Sequence, residues 1–238
     1  MSIYDTPTMG ERIQGNSYVG RGIVVGESAD GKNAVFAYFI MGRSENSRNR
    51  VFIPNGKEYV IHPFDASKVE DPSLIIYSPV RLCGDAVVVT NGDQTDTVVE
   101  FMQQGKSFEQ ALETRCFEPD APNFTPRISA VLFPGADYTY KMSILKSADA
   151  AGSACNRYTF NYKALAGVGH FIHTYNHDGN PIPTFTGEPE RVSIPNDIDA
   201  FTEDIWNNLD ENNKISLIVR YIDLESGACE DRMINKNK

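Results

Sequence analysis

Three arginines stand within nine residues of an otherwise acidic chain. Gly42 to Arg50 reads Gly-Arg-Ser-Glu-Asn-Ser-Arg-Asn-Arg, which sets Arg43, Arg48 and Arg50 beside Ser44, Asn46, Ser47 and Asn49. A guanidinium is a planar, permanently charged fork that meets phosphate or carboxylate oxygens two at a time. The hydroxyls and amides between the arginines can hydrogen-bond the same kind of ligand. The chain carries a formal net charge of −10 over 238 residues and so has no general attraction for polyanions. A concentrated cluster in that setting points to one small anionic ligand. The competing reading is a solvated loop whose arginines pair with surplus carboxylates.

A second polar constellation, Asn91-Gly92-Asp93-Gln94-Thr95-Asp96-Thr97, directly follows an apolar strand expected at Asp85–Thr90. A strand running into a Gly-containing turn and a helix start offers backbone N–H groups and short side chains to a ligand. Ordinary turn and capping chemistry uses the same residues. Thr125-Pro126-Arg127 opens a later strand, and Tyr77 and Arg81 flank a break at Ser78-Pro79. His170, His173 and His177, followed by Asp178, invite a metal reading. On a strand over Gly169–Tyr175, however, the first two point to opposite faces, which argues against a shared ion. The sequence has no Gly-rich phosphate loop, Gly-x-Ser-x-Gly elbow, His-Glu-x-x-His helix or paired-Cys motif, so the expectation is no metal and no cofactor.

These residues need a scaffold, and the chain is long enough to bury a full core. Composition is 41% hydrophobic and 23% charged. The longest apolar runs are strand-sized, far below the ~20 residues that span a bilayer. The N-terminus lacks a basic and then apolar leader, and Cys83, Cys116, Cys155 and Cys229 are scattered. Both fit a cytoplasmic protein with reduced thiols, and the acidic balance disfavours nucleic acid. Residues 1–16 read as a polar, irregular arm. Strands are expected at Tyr18–Gly26 and Asn33–Met41, joined at Asp30-Gly31, and at Arg50–Ile53, Glu58–Ile61, Leu74–Tyr77 and Asp85–Thr90. Helices follow from about Thr97 to Gln104, capped by Thr95 or Asp96, and from a Ser107/Gln110 capping box to near Arg115. A second run of strands spans Arg127–Phe133, Tyr138–Leu145, Arg157–Lys163 and Gly169–Tyr175. Asn196 is expected to cap a helix with Ile198, Phe201, Ile205 and Leu209 on one stripe, and Lys214–Ile222 is a final strand. The ten carboxylates between Asn196 and Arg232 read as a solvated face. Two sheets with helices packed outside is the economical layering for that order. The expected organisation is an arm over 1–17 and a single catalytic domain over 18–238.

Taken in order, several of these pieces form a set. They are Tyr18-Val-Gly-Arg-Gly-Ile-Val-Val-Gly26, Arg43-Ser44 with Asn49-Arg50, Ile76-Tyr77 leading to Arg81 and Gly84-Asp85, Asn91-Gly92 with Thr95-Asp96-Thr97, and Thr125-Pro126-Arg127-Ile128. The set resembles the archaeal-type IMP cyclohydrolase family, including its bacterial relatives. The resemblance implies an α+β fold, a four-layer αββα sandwich of two mainly antiparallel sheets like that of N-terminal-nucleophile hydrolases. It implies closure of 5-formamidoimidazole-4-carboxamide ribotide to inosine monophosphate with loss of water, the last step of purine synthesis. The partner is then a small nucleotide, and the oligomeric state stays open. Two departures stand out: about sixteen extra residues precede the first strand, and the arginine loop is longer. Gly20 and Arg21 occupy the place of a processed nucleophile. On this reading Tyr77, Arg43 and Asp96 are the catalytic candidates. Arg21, Ser44, Arg48, Arg50, Asn91, Gly92, Thr95, Thr97 and Arg127 are candidates for holding the substrate. The rivals are an N-terminal-nucleophile amidohydrolase, with Ser2 as its formal nucleophile, and a non-catalytic nucleotide-binding module.

Overall fold

A computed structural model describes residues 2, 4–69 and 76–237. Its strands are β1 (Arg21–Glu27), β2 (Asn33–Met41), β3 (Val51–Asn55), β4 (Glu58–His62), β5 (Val80–Cys83), β6 (Ala86–Thr90) and β7 (Arg127–Phe133). The chain continues through β8 (Thr139–Ser147), β9 (Cys155–Lys163), β10 (Val168–His173), β11 (Glu190–Ser193), β12 (Lys214–Asp223) and β13 (Cys229–Asn235). Among the described residues five α-helices accompany them, α1 (Met9–Ile13), α2 (Glu45–Arg48), α3 (Gln94–Gln103), α4 (Phe108–Glu113) and α5 (Ile198–Asn208), with one 3-10 turn at Ala66–Lys68.

β2 shows how the layers arise. It reads as a continuous apolar run because both of its faces are buried. Phe36, Tyr38 and Ile40 point into the space between two sheets, while Val35, Ala37, Phe39 and Met41 point outward under α1 and α5. Around it lies a six-stranded sheet ordered β11-β10-β1-β2-β12-β13. The facing sheet has seven strands, β3-β4-β5-β6-β7-β8-β9, and α3 and α4 cover its outer face through Val98, Val99, Phe108 and Leu112. Every strand pair in both sheets is antiparallel. The architecture is therefore the expected αββα sandwich. No helix among the described residues is long and apolar enough to cross a membrane.

Local departures from expectation have local causes. Residues read as irregular contain α1, whose Met9 and Ile13 are buried and whose Thr8 closes a capping box with Glu11. α3 starts at Gln94 rather than near Thr97. Asp93 occupies its N-cap position without capping it, because the carboxylate is taken by Arg115 and Arg127 at 2.5 and 2.7 Å. Asp197, not Asn196, caps α5 by accepting from Asp199 and Ala200 N–H; the Asn196 side chain accepts from Asp30 N–H at 2.7 Å instead. Positions 74 and 75 of the expected strand at 74–77 lie outside the described residues, and Ile76 and Tyr77 belong to no strand. β5, β11 and β13 escape the pattern because each is short or keeps much of its length half-exposed.

β13 also holds part of the acidic stretch read as a solvated face, and one of its carboxylates is structural. Arg220, buried on β12, makes a two-pronged bond to Asp231 with both N–O distances at 2.7 Å. Asp231 also accepts from Tyr59 Oη at 2.7 Å. Burial opposes ionisation of Asp231, but Arg220 and Tyr59 outweigh it and hold its carboxyl below the ordinary 3.8. Asp231→Asn leaves a buried cation uncompensated and should cost about 3 kcal/mol by urea unfolding at neutral pH. The contribution is present above pH 3.8 and is lost as pH falls through the depressed value, so the wild-type advantage should shrink below pH 3.8.

Candidate active site

The inter-sheet space opens at the end where β1, β3 and β7 begin. Gly20 has φ of 78°, a region that favours glycine, and a Cβ there would collide with Thr174 and Tyr175. The turn it permits puts Arg21 at the head of β1 on the inward face, the face of Ile23 and Val25. Arg50 enters the same space just ahead of inward-facing Phe52. Arg43 and Ser44 arrive on the loop after β2, where the Ser44 hydroxyl caps α2 by accepting from Ser47 N–H. The loop 116–125 closes the other side with Glu118, Asp120 and Thr125, and Tyr18 and Tyr175 complete the wall. Together they line a cavity of about 390 Å³. A second cavity of the same volume, at the far end of β1, is lined by Glu27, Asp137 and Glu225 with Lys163 as its one cation. Its charge is wrong for an anion, and the arginine-lined cavity is the candidate site.

Electrostatics set this cavity apart. Arg21 and Arg50 are 8% and 4% exposed, and Glu118 is 5% exposed. Buried charges of one sign in such proximity are costly unless a partner arrives. Burial, then the Arg21 charge, depress the Arg50 guanidinium. Burial likewise opposes the Arg21 charge, but Glu118 and neighbouring tyrosines more than offset it. Arg50 Nε and Nη1 and Arg21 Nε are buried donors without an acceptor among the described residues. Burial pushes the Glu118 carboxyl above its ordinary 4.5, against the pull of Arg21, Arg127 and Arg50. No cation lies within ion-pair distance of it among the described residues.

Tyr77 is buried beneath these charges and is not among the residues that line the cavity; its Oη is 2.7 Å from that of Tyr38. Burial raises its hydroxyl pKa more than Arg50 and Arg21 lower it, so at neutral pH it remains a proton-bearing donor. Arg43 is more exposed. It pairs with Asp178 at 2.5 Å, donates to Gly179 O at 2.9 Å and lies over the Tyr18 ring. A chain of hydroxyls runs along the wall, with Thr125 Oγ1 2.6 Å from Tyr175 Oη and also bonded to Asp120.

Several sequence candidates do not reach the cavity. Arg48 is pinned outward, donating to Gly42 O at 3.0 Å and Asn213 Oδ1 at 3.1 Å. Asp96 is exposed on α3 and paired with Arg81 at 2.8 Å. Asn91 is consumed by structure: it donates to Pro126 O and accepts from Ile128 N–H and Gln94. Thr95 bonds Thr90 and Gly92 O, Thr97 is half-buried on the first turn of α3, and Gly92 packs on Arg127. Arg127 itself stands behind the wall, held by Asp93 and Gln94 at 2.7 Å each, and reaches Glu118 only through its field. His170 and His173 point to opposite faces of β10: the first is 2.6 Å from Tyr140 Oη, the second 2.7 Å from Tyr175 O. With inorganic phosphate as the probe of a small anionic ligand, Arg48→Ala should therefore leave affinity unchanged by calorimetry, whereas Arg43→Ala should weaken it.

Sequence reasoning did not name Glu118, Asp120, Tyr18 and Tyr175, which line the cavity, or Tyr38 behind it, as site residues. For the two carboxylates the one available signal was their alternation with prolines, Glu118-Pro119-Asp120-Ala121-Pro122, just upstream of Arg127.

Comparison with known proteins follows the same line. A family model described as IMP cyclohydrolase-like protein matches residues 18–227. An IMP cyclohydrolase of Methanococcus maripaludis strain S2 is 34% identical over 119 residues, 48% of this chain and 58% of the relative. Those of Methanocella arvoryzae and Methanopyrus kandleri are 33% and 32% identical over 120 and 118 residues, each covering 48% of this chain and 57% and 58% of the relative. The matched segment thus spans a little over half the length of these curated relatives.

Proposed function

The chain belongs to the IMP cyclohydrolase-like protein family, and on that premise we propose that it closes 5-formamidoimidazole-4-carboxamide ribotide to inosine monophosphate in the arginine-lined cavity. The observation that carries this is the convergence of Arg21, Arg43, Arg50 and Glu118 on one cavity, with buried Tyr77 close enough behind it to feel the Arg50 and Arg21 charges. Buried guanidinium N–H groups without acceptors suit the oxygens of a nucleoside monophosphate. The cavity volume lies within the range that small-molecule ligands occupy.

In the proposed reaction the carboxamide nitrogen attacks the formyl carbon of the same molecule. The nitrogen gives up one proton and the formyl oxygen gains one, forming a carbinolamine. The formamide nitrogen then loses its proton, and the hydroxyl leaves as water. Because both reacting groups are tethered, orientation can supply ~7–11 kcal/mol of the barrier. Tyr77 Oη–H, held in place by Tyr38, gives its proton to the formyl oxygen as charge gathers there and recovers one from the formamide nitrogen as water leaves. Glu118 is the base that collects the nitrogen proton and returns it to the departing hydroxyl. Its burial raises its basicity, which suits a group that must do both. Arg21 and Arg50 hold anionic or carbonyl oxygens, and Arg43 exchanges Asp178 for the incoming nucleotide.

Tyr77→Phe removes one fixed donor and should lower turnover by about 10²–10³ with little change in affinity for inosine monophosphate. A change confined to KM would take Tyr77 out of the chemistry. The reading as a whole is tested by mixing the purified chain with the formyl ribotide and following purine formation by ultraviolet absorbance. Steady conversion supports it, while tight binding of inosine monophosphate without conversion would favour a non-catalytic binding module.

A further inference from the structure

We infer that Asp120 receives the ribose hydroxyls of the ligand and so sets the preference of the site for ribonucleotides. The inference rests on reading the cavity as a nucleoside monophosphate site. Asp120 lines that cavity two residues along the loop from Glu118. No cation lies within ion-pair distance of it among the described residues. A carboxylate in a space lined by arginines works against any anion that enters. Its place in the wall therefore calls for a second, uncharged part of the ligand that brings protons.

Proton counting gives the wall its polarity. Asp120 Oδ1 accepts from Thr125 N–H at 2.6 Å, and Oδ2 accepts from the Thr125 hydroxyl. An ionised carboxylate has no proton to give, and a threonine hydroxyl has only one. Thr125 Oγ1, its proton spent on Asp120, can only accept from Tyr175 Oη, 2.6 Å away. The hydroxyl protons thus run in one direction, from Tyr175 to Thr125 to Asp120. Each Asp120 oxygen holds one protein proton and keeps a lone pair for another. The arginines present the converse face: Arg21 Nε and Arg50 Nε and Nη1 are buried donors without an acceptor among the described residues.

A ligand that satisfies both faces carries bare oxygens at one end and O–H groups elsewhere. A nucleoside monophosphate does so, with phosphate oxygens for the guanidinium groups and two neighbouring ribose hydroxyls for the two Asp120 oxygens. A hydroxyl that donates also has lone pairs to fill. Asn123, on the same wall, spends its side-chain oxygen on Ile182 N–H at 3.1 Å, which leaves its NH₂ group to donate to them. Glu118 and Asp120 then divide the loop between them, the first serving the reacting base and the second the sugar.

The test is calorimetry of the full chain with inosine monophosphate and with its dideoxy analogue, which lacks both ribose hydroxyls. The analogue should bind about 10–10²-fold more weakly, because charge-assisted hydrogen bonds are lost and the wall is left unpaired. Asp120→Asn keeps the shape and an oxygen for Thr125 but removes the charge. It should weaken inosine monophosphate towards the analogue while leaving the analogue's own affinity nearly unchanged. A residue that only braces the loop would weaken both nucleotides by the same factor. An unchanged ratio in the variant, or equal affinities in the unaltered chain, would overturn the inference, and the second comparison needs no variant to fold. Equal affinities alongside steady conversion of the formyl ribotide would sink this inference alone. A clear preference for inosine monophosphate without conversion would sink the ring-closure reading and leave Asp120 in its role. Failure to bind either nucleotide would end both.

Discussion

Glu118→Gln should lower turnover of the formyl ribotide by about 10²–10⁴ while inosine monophosphate binds nearly as well as to the unaltered chain. The substitution keeps shape and one acceptor oxygen but removes the capacity to take a proton. Its effect should therefore fall on kcat and kcat/KM together rather than on KM. A pH signature accompanies it. Because burial raises the Glu118 carboxyl above 4.5, the acid limb of the rate profile belongs to that group and lies above 4.5. Activity rises as the carboxyl loses its proton, and in Glu118→Gln that limb disappears from whatever activity remains. An unshifted limb, or full turnover in the variant, would remove Glu118 from the chemistry. Another carboxylate on the wall, Asp120, would then be the next candidate.

Arg50→Met should have two effects of opposite sign. Nucleotide affinity should fall about 10²-fold, because a buried charge that meets the ligand is lost and its partner oxygens on the ligand go unsatisfied. The free protein should become more stable, by about 1–3 kcal/mol in urea unfolding. Arg50 is buried, depressed by burial and by Arg21, and has two N–H groups without acceptors. Removing it relieves repulsion and deletes orphaned donors, and Met fills much of the space. A site that carries unsatisfied charge in the absence of ligand trades stability for binding. Destabilisation by Arg50→Met would mean that the guanidinium serves the fold, and the case for a ligand in that place would weaken.

How far the sequence could be read depends on which signals survive in one dimension. β2 and β7 are legible to the residue because their apolar runs are bounded by turn residues and buried on both faces. α5 is legible through the Ile198, Phe201, Ile205 and Leu209 stripe. β13 is not, because Glu230, Asp231 and Arg232 look like solvent-facing charge until Arg220 is seen opposite Asp231. Within the site, Arg43, Ser44 and Arg50 stood out by local density, and Arg21 by its place at the head of β1. Density could not separate Arg50 from Arg48, two residues apart. One turn of α2 sends Arg48 outward to Asn213 while Arg50, beyond the helix end, turns in. The Asn91–Thr97 constellation was legible as a strand–helix junction, yet its polar groups are spent on one another and on Arg127. Glu118 carried no periodic signal, only the faint one of two carboxylates alternating with prolines over 118–122. Its importance comes from burial beside Arg21 and Arg50, a property of the fold and not of its neighbours in sequence.

The most direct measurement is a crystal structure of the chain with inosine monophosphate. The account predicts the nucleotide in the cavity at the head of β1, its oxygens on the guanidinium groups of Arg21 and Arg50, with Tyr77 and Glu118 facing the purine carbon that came from the formyl group. Nucleotide bound elsewhere, with those arginines left without a ligand and Tyr77 remote from the purine, would contradict it.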